Sequence, residues 1–157
     1  MGATIRPARQ DDLAAIERIV HDAYRGYIPR MGTKPGPMLA DYASVLATRL
    51  VDVVDDGEIL GVVVLDREAD GMLLENVAVA PAAQGRGLGR MLIRHAEARA
   101  REAGCPTIRL YTHVTMVENL ALYERVGYIE TGRGDSEGFD RVFLSKRLDG
   151  SRNGPES

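Results

Sequence analysis

The chain has 157 residues, 45% of them hydrophobic, which allows a single globular domain to bury a substantial core. A net charge of only −3 offers no broad basic surface, so neither nucleic acid nor a membrane is expected as a partner. Cys105 is the sole cysteine, which excludes an intramolecular disulfide framework and a cysteine-cluster metal site and fits a reducing compartment.

No signal-peptide apolar stretch follows Met1, and no apolar run approaches the roughly 20 residues that span a bilayer; the expectation is a soluble, cytoplasmic protein. Ile5 and Arg6 read as a short strand stopped by Pro7. Asp11 and Asp12 then open a helix to about Arg25, with Leu13, Ile16, Ile19, Val20 and Tyr24 at helical spacing. Residues 26–37 carry Pro29, Gly32, Pro35, Gly36 and Pro37, too many breakers for a regular element, and read as an ordered loop holding Tyr27, Ile28 and Met31. A short helix is expected over 38–50, with Leu39, Tyr42, Val45 and Leu46 on one side.

Residues 51–54 and 59–66 flank Asp55-Asp56-Gly57 and predict a β-hairpin, since Asp-Gly suits the positive φ of a tight turn. A further strand from Met72 to Val79, rich in β-branched residues, ends at Pro81. The next helix spans about 87–103: Leu88, Met91, Leu92, His95, Ala96 and Arg99 form one face, while Arg90, Arg94, Glu97 and Arg101 mark a wet one, and Gly104 suits the C-terminal cap. A strand over 107–113, a helix over 117–126 closed by Gly127, and a hairpin of 128–131 with 141–145 complete the pattern. The expected organisation is one domain over 1–148 and a disordered tail over 149–157, where no apolar anchor remains.

Between that strand and helix stands Gln84-Gly85-Arg86-Gly87-Leu88-Gly89-Arg90. Glycine removes the Cβ that keeps a ligand from the backbone, and amides at a helix N-terminus point at an anion with the helix dipole behind them. Arg86 or Arg90 adds a charged clamp. A tight strand-to-helix turn would use the same glycines. The dinucleotide fingerprint wants G-x-G-x-x-G in a parallel βαβ unit, and the Walker loop wants Gly-Lys; this loop has neither, which disfavours a nucleotide-binding regulatory domain.

The spacing Gln84, Gly87, Gly89 resembles the signature of the GNAT superfamily of N-acetyltransferases. The preceding Val77-Ala78-Val79-Ala80-Pro81 and the later Asn119-Leu120-Ala121-Leu122-Tyr123-Glu124-Arg125-Val126-Gly127-Tyr128 are similar to that family's strand and its "N…LYE..GF" segment. The resemblance covers about residues 4–148. It implies an α/β (α+β) fold: a mixed, mostly antiparallel six- to seven-stranded sheet, splayed at a cofactor cleft and flanked by about four helices. It implies acetyl-CoA as co-substrate, no metal, and acetyl transfer to a primary amine of a small molecule or peptide by direct attack in a ternary complex. Pantetheine would pair with the backbone of Val77, Ala78 and Val79, and the pyrophosphate would sit on the amides of 85–90.

Such a transfer needs a neutral amine, a stabilised oxyanion and a proton for the departing thiolate. A lysine-like amine, with a pKa near about 10.4, needs a base or a water relay, for which Glu75 is the candidate; a solvated strand carboxylate is its plain alternative. A backbone amide near Val77 is implied for the oxyanion. Tyr123 matches the family position whose hydroxyl protonates the thiolate, against a ring that merely packs on the sheet. Asn119 is expected to cap its helix, bond pantetheine, or both. His113 is a candidate proton relay beside the acceptor or a structural histidine. The acceptor side is assigned to Tyr24, Tyr27 and Arg30, with Arg30 able to pair with an acceptor carboxylate, in a segment whose Tyr27, Ile28 and Met31 would equally roof the core. A non-catalytic acyl-CoA-binding sensor module remains the alternative, and the exposed edge of the C-terminal hairpin offers a place for homodimer pairing.

Overall fold

The computed structural model describes residues 2–148; the tail expected to be disordered lies outside them. In chain order the elements are β1 (Thr4–Pro7), α1 (Leu13–Tyr24), α2 (Ile28–Met31), α3 (Tyr42–Thr48), β2 (Leu50–Asp55), β3 (Ile59–Arg67), β4 (Met72–Val79), α4 (Leu88–Glu102), β5 (Thr107–His113), α5 (Val117–Arg125), β6 (Ile129–Ser136) and β7 (Phe139–Arg147). The strands form a seven-stranded mixed sheet in the order β1-β2-β3-β4-β5-β7-β6. By contact density, residues 2–66 with 75–94 make one compact unit, and 67–74 with 95–148 make another.

In the first unit, α1 buries Ile16, Ile19, Val20 and Tyr24, the 3.6-residue stripe read from the sequence. Strand β3 is buried on both faces from Leu60 to Leu65, as its unbroken apolar run demands. It pairs antiparallel with β2, from Leu50↔Leu65 to Asp55↔Ile59, with a register shift at Val54/Asp55. The turn between them puts only Gly57 at positive φ, and its amide donates to the Asp55 carboxylate at 3.0 Å. The hairpin therefore closes through a bulge and an Asx contact. Arg6 of β1 grips the Asp12 carboxylate with both terminal nitrogens at 2.9 and 3.0 Å and reaches Asp55 through Nε at 2.8 Å.

Three expectations are corrected in this unit. The breaker-rich segment is not one loop: it folds into single turns at Arg25–Tyr27, Ile28–Met31 and Gly36–Met38. Pro29 and Pro37 stand in the first turn of their elements, where the missing N–H has no intrahelical acceptor to lose, and Gly32 at φ 75° ends α2. The next helix starts only at Tyr42, because Asp41 caps it by accepting from Ala43 N at 3.2 Å, and it stops before Arg49, whose backbone is extended. Leu50 belongs to a strand ladder, and Leu39 is exposed.

In the second unit, β5 runs antiparallel to β7 over seven pairs from Thr107↔Arg147 to His113↔Arg141, and β7 continues into the β6 hairpin, longer than the sequence suggested. The parallel ladder of β4 with β5 holds Met72 to Ile108 and Leu73 to Arg109; β4 then runs on to Val79 beyond it. The expected wet face of α4 is wrong at one position, since Glu97 is only 5% exposed. It stands four residues after Ile93 and three before Ala100, within the apolar stripe, and it is tolerated there because Lys146 reaches it at 3.0 Å. Cys105 is buried just after the helix, its amide bonded to the Ala100 carbonyl at 2.9 Å.

Candidate functional site

The glycine segment begins where β4 is pinned: Ala80 N donates to Leu60 O at 2.8 Å, and a single turn at Pro81–Ala83 redirects the chain. Gln84 secures the exit by donating from Nε2 to Val79 O at 3.2 Å. Gly85 and Gly87 then take φ of 85° and 80°, the left-handed region that side chains resist, and a Cβ built on either meets no atom within 4 Å. Gly89 differs. It lies in the first turn of α4 without positive φ, and a Cβ there would meet only Val79 Cγ2 at 4.0 Å. Neither backbone conformation nor crowding by the protein explains a glycine there. The amides of Leu88, Gly89 and Arg90 have no intrahelical acceptor. No acidic side chain stands in that turn, and Arg86 and Arg90 are exposed beside it.

Strand β4 alternates: Asn76 and Ala78 are buried, while Glu75, Val77 and Val79 are half-buried on the other side. Asn76, which the sequence reading passed over, organises this stretch. Its Oδ1 accepts from Tyr24 OH at 2.7 Å and its Nδ2 donates to Tyr42 OH at 3.0 Å, while Tyr42 donates onward to Pro37 O at 2.6 Å. Tyr24 OH also lies 3.2 Å from Val77 O. Burial pushes the Tyr42 phenol well above its ordinary range, so it remains a donor. The only signal of this network was one amide in the middle of an apolar strand.

Glu75 is ion-paired. Arg49 Nε reaches its Oε2 at 2.5 Å and lies 3.6 Å from Asp66. Arg49 was not singled out from the sequence, because its partner sits 26 residues away. Tyr27 is half-buried with the Arg30 guanidinium 5.0 Å from its ring centroid, and the Tyr24 and Tyr27 rings are 6.3 Å apart. The first unit thus gathers the loop, Glu75, Tyr24, Tyr27 and Arg30.

His113, Asn119 and Tyr123 belong to the second unit. Tyr123 is buried and meets Tyr128 edge to face with centroids 5.5 Å apart. Burial alone pushes its phenol upward, so it is held protonated. Its hydroxyl has no hydrogen-bond partner among the described residues. Asn119 is not a cap: Met116 holds that position, without a side-chain bond, and Asn119 Nδ2 instead lies 3.7 Å from Met116 Sδ. His113 Nδ1 accepts from the Thr115 amide at 3.2 Å and lies 2.9 Å from Thr115 Oγ1, so the ring braces the turn into α5. Among the described residues no three His, Cys, Asp or Glu side chains converge as metal ligands, and no helix is long and apolar enough to cross a membrane.

Residues 11–128 match the family model described as the acetyltransferase (GNAT) family. The chain belongs to the GNAT acetyltransferase family. This GNAT chain is 36% identical over 86 residues to streptothricin acetyltransferase of Streptomyces lavendulae, a match covering 52% of this chain and 44% of that protein. It is 31% identical over 90 residues to IAA acetyltransferase of Azospirillum brasilense, covering 56% and 59%. The matched stretch thus spans about half the length of these curated relatives. Its fold is that of solved GNAT structures. The ribosomal-protein-S18-alanine N-acetyltransferase of Escherichia coli superposes with a TM-score of 0.76 at 22% identity over 97% of each chain. An acetyltransferase structure from Salmonella typhimurium, solved with its cofactor acetyl-CoA, superposes with 0.71 at 24% identity over 100% of both.

Proposed function

We propose that this GNAT chain transfers an acetyl group from acetyl-CoA to a primary amine of a small molecule or peptide, by direct attack in a ternary complex. The observation that carries the reading is the open space over Gly85, Gly87 and Gly89 at the mouth of α4. Two of these glycines are required by backbone conformation. The third, Gly89, sits where alanine would favour the helix by about 1 kcal/mol, and close approach of a ligand to the backbone accounts for its absence of side chain. The unshielded amides of 85–90 and the guanidinium groups of Arg86 and Arg90 suit a diphosphate.

Acetyl-CoA supplies the thioester. In this reading the Val77 to Val79 backbone holds the pantetheine arm, with Asn119 a further contact, and the Val77 amide donates to the acetyl carbonyl oxygen. Tyr123 gives its phenolic proton to the leaving sulfur; its burial supports this by keeping that proton in place at neutral pH. Glu75 takes the proton of the acceptor amine once the amine displaces Arg49 from its carboxylate, directly or through water. Tyr24 holds β4 from behind through Asn76, which makes it a support for the acceptor side; Tyr27 and Arg30 present an aromatic and cationic surface there, and His113 lies beside the start of α5. The sensor reading draws on one observation, the carboxylate of Glu75 engaged by Arg49.

Coenzyme A release measured against a panel of amines separates the readings. The panel includes streptothricin and a peptide with an N-terminal alanine, after the names of the relatives. Turnover with at least one primary amine is expected. Tight acetyl-CoA binding without turnover on any amine would leave the sensor, and absence of binding would remove both.

A further inference from the structure

Behind Tyr123 lies a charge pair, a half-buried lysine on a buried glutamate, that the acetyl-transfer scheme does not use. Lys146 Nζ is held between Glu97 Oε1 at 3.0 Å and the Val126 carbonyl at 2.8 Å. Glu97 is almost fully buried, and the lysine stem reaches it by passing over Gly127, where an added Cβ would stand 3.3 Å from Lys146 Cε. Gly127 also has φ 103°, so neither that turn nor that passage admits a side chain readily.

The clamp acts on the turn that ends α5. The Val126 carbonyl follows the helix end, where carbonyls lack intrahelical donors and a cation is favourable. The same turn folds back on the helix: Val126 N donates to Leu122 O and Tyr123 O at 3.2 Å each, and Tyr128 N donates to Tyr123 O at 3.0 Å. Tyr128 then lays its ring edge to face against Tyr123, and the Lys146 ammonium lies 5.7 Å from the Tyr128 centroid. The Tyr128 hydroxyl and Glu97 Oε2 are both buried and neither makes a well-formed hydrogen bond among the described residues, but they act on each other: burial and the neighbouring Glu97 carboxylate push the Tyr128 phenol upward. The Glu97 carboxylate thus engages the Lys146 ammonium and acts on Tyr128 at once, which an apolar pair of the same volume would not do.

We infer that Lys146 and Glu97 are positioning residues for Tyr123, holding its backbone and ring through the Val126 to Tyr128 turn. The inference rests on the general-acid reading of Tyr123. A displacement of that phenol by a fraction of an ångström costs proton transfer and leaves binding in the glycine loop untouched.

Steady-state kinetics on Lys146→Met, on the Glu97→Gln/Lys146→Met pair, and on both in a Tyr123→Phe background tests it. The pair leaves no buried carboxylate without a partner and carries the test should the single variant not fold. Both changes are expected to lower kcat by on the order of 10-fold with an unchanged KM for acetyl-CoA. In the Tyr123→Phe background they should cost less than about twofold more, because a positioning residue has nothing left to position. An equal loss in both backgrounds marks a purely structural pair and overturns the inference, as does wild-type kcat in the variants. Wild-type turnover in Tyr123→Phe alone removes the acid reading, and this inference with it.

Discussion

Tyr123 suits the proposed proton transfer to sulfur in two ways: its hydroxyl has no hydrogen-bond partner among the described residues, and burial keeps the phenol protonated. Tyr123→Phe is expected to keep acetyl-CoA affinity, measured by calorimetry, while turnover falls by on the order of 10²-fold or more. Gly87→Val should do the reverse, since its φ of 80° is hostile to a branched side chain and the open space above it would be filled. Loss of coenzyme A binding with an intact circular dichroism spectrum is the expected outcome; normal affinity would detach the loop from the cofactor. Both residues could be singled out from the sequence because each belongs to a local motif. Asn76 and Arg49 were not, because their partners Tyr24, Tyr42 and Glu75 come from elements tens of residues away.

Among elements, β4 depends on its back side. Asn76→Ala takes one hydrogen-bond partner from each of two tyrosine hydroxyls, which keep the Val77 and Pro37 carbonyls, and a loss of about 1 to 2 kcal/mol in urea-determined stability is expected. A change below about 0.5 kcal/mol would show that water replaces the amide at little cost. Strand β1 makes a pH-dependent prediction. The Arg6 guanidinium holds the Asp12 carboxyl, and that of Asp55, below the usual carboxylate range. A depressed folded pKa contributes stability that is present above the unfolded value near about 4 and is lost as pH falls through the folded one. Asp12→Asn should therefore cost roughly 1 kcal/mol at pH 7 once solvent screening is counted, and its deficit against the wild type should close as denaturation is followed from pH 5 down to about pH 2. A deficit independent of pH would assign the loss to packing. The strands themselves were legible because β-branched runs bounded by Asp-Gly or by a proline, as at Asp56-Gly57 and Pro81, are strong local signals. The turns of Arg25–Tyr27, Ile28–Met31 and Gly36–Met38 were not, since the same prolines that break a helix also start a short one.

For the whole molecule, ligand linkage gives a test independent of any one side chain. Acetyl-CoA at 100 times its Kd should stabilise the protein by about 2.7 kcal/mol, which raises the melting temperature by roughly 5 to 11 °C for a chain of this size. ATP and NAD at the same concentration should leave it unchanged; equal shifts with all three would point to a general polyphosphate site. The family resemblance implied a mixed, mostly antiparallel sheet but not its strand order, because β7 lies between β5 and β6 and no local pattern announces an inserted strand. The burial of Glu97 was hidden for the same reason, its partner lying on the last strand. The sequestered sulfur of Cys105 has a practical consequence. A chromogenic disulfide added to the native protein would colour only with coenzyme A released by the proposed transfer, and one further equivalent appearing late in the trace would time the loss of the fold in the same cuvette.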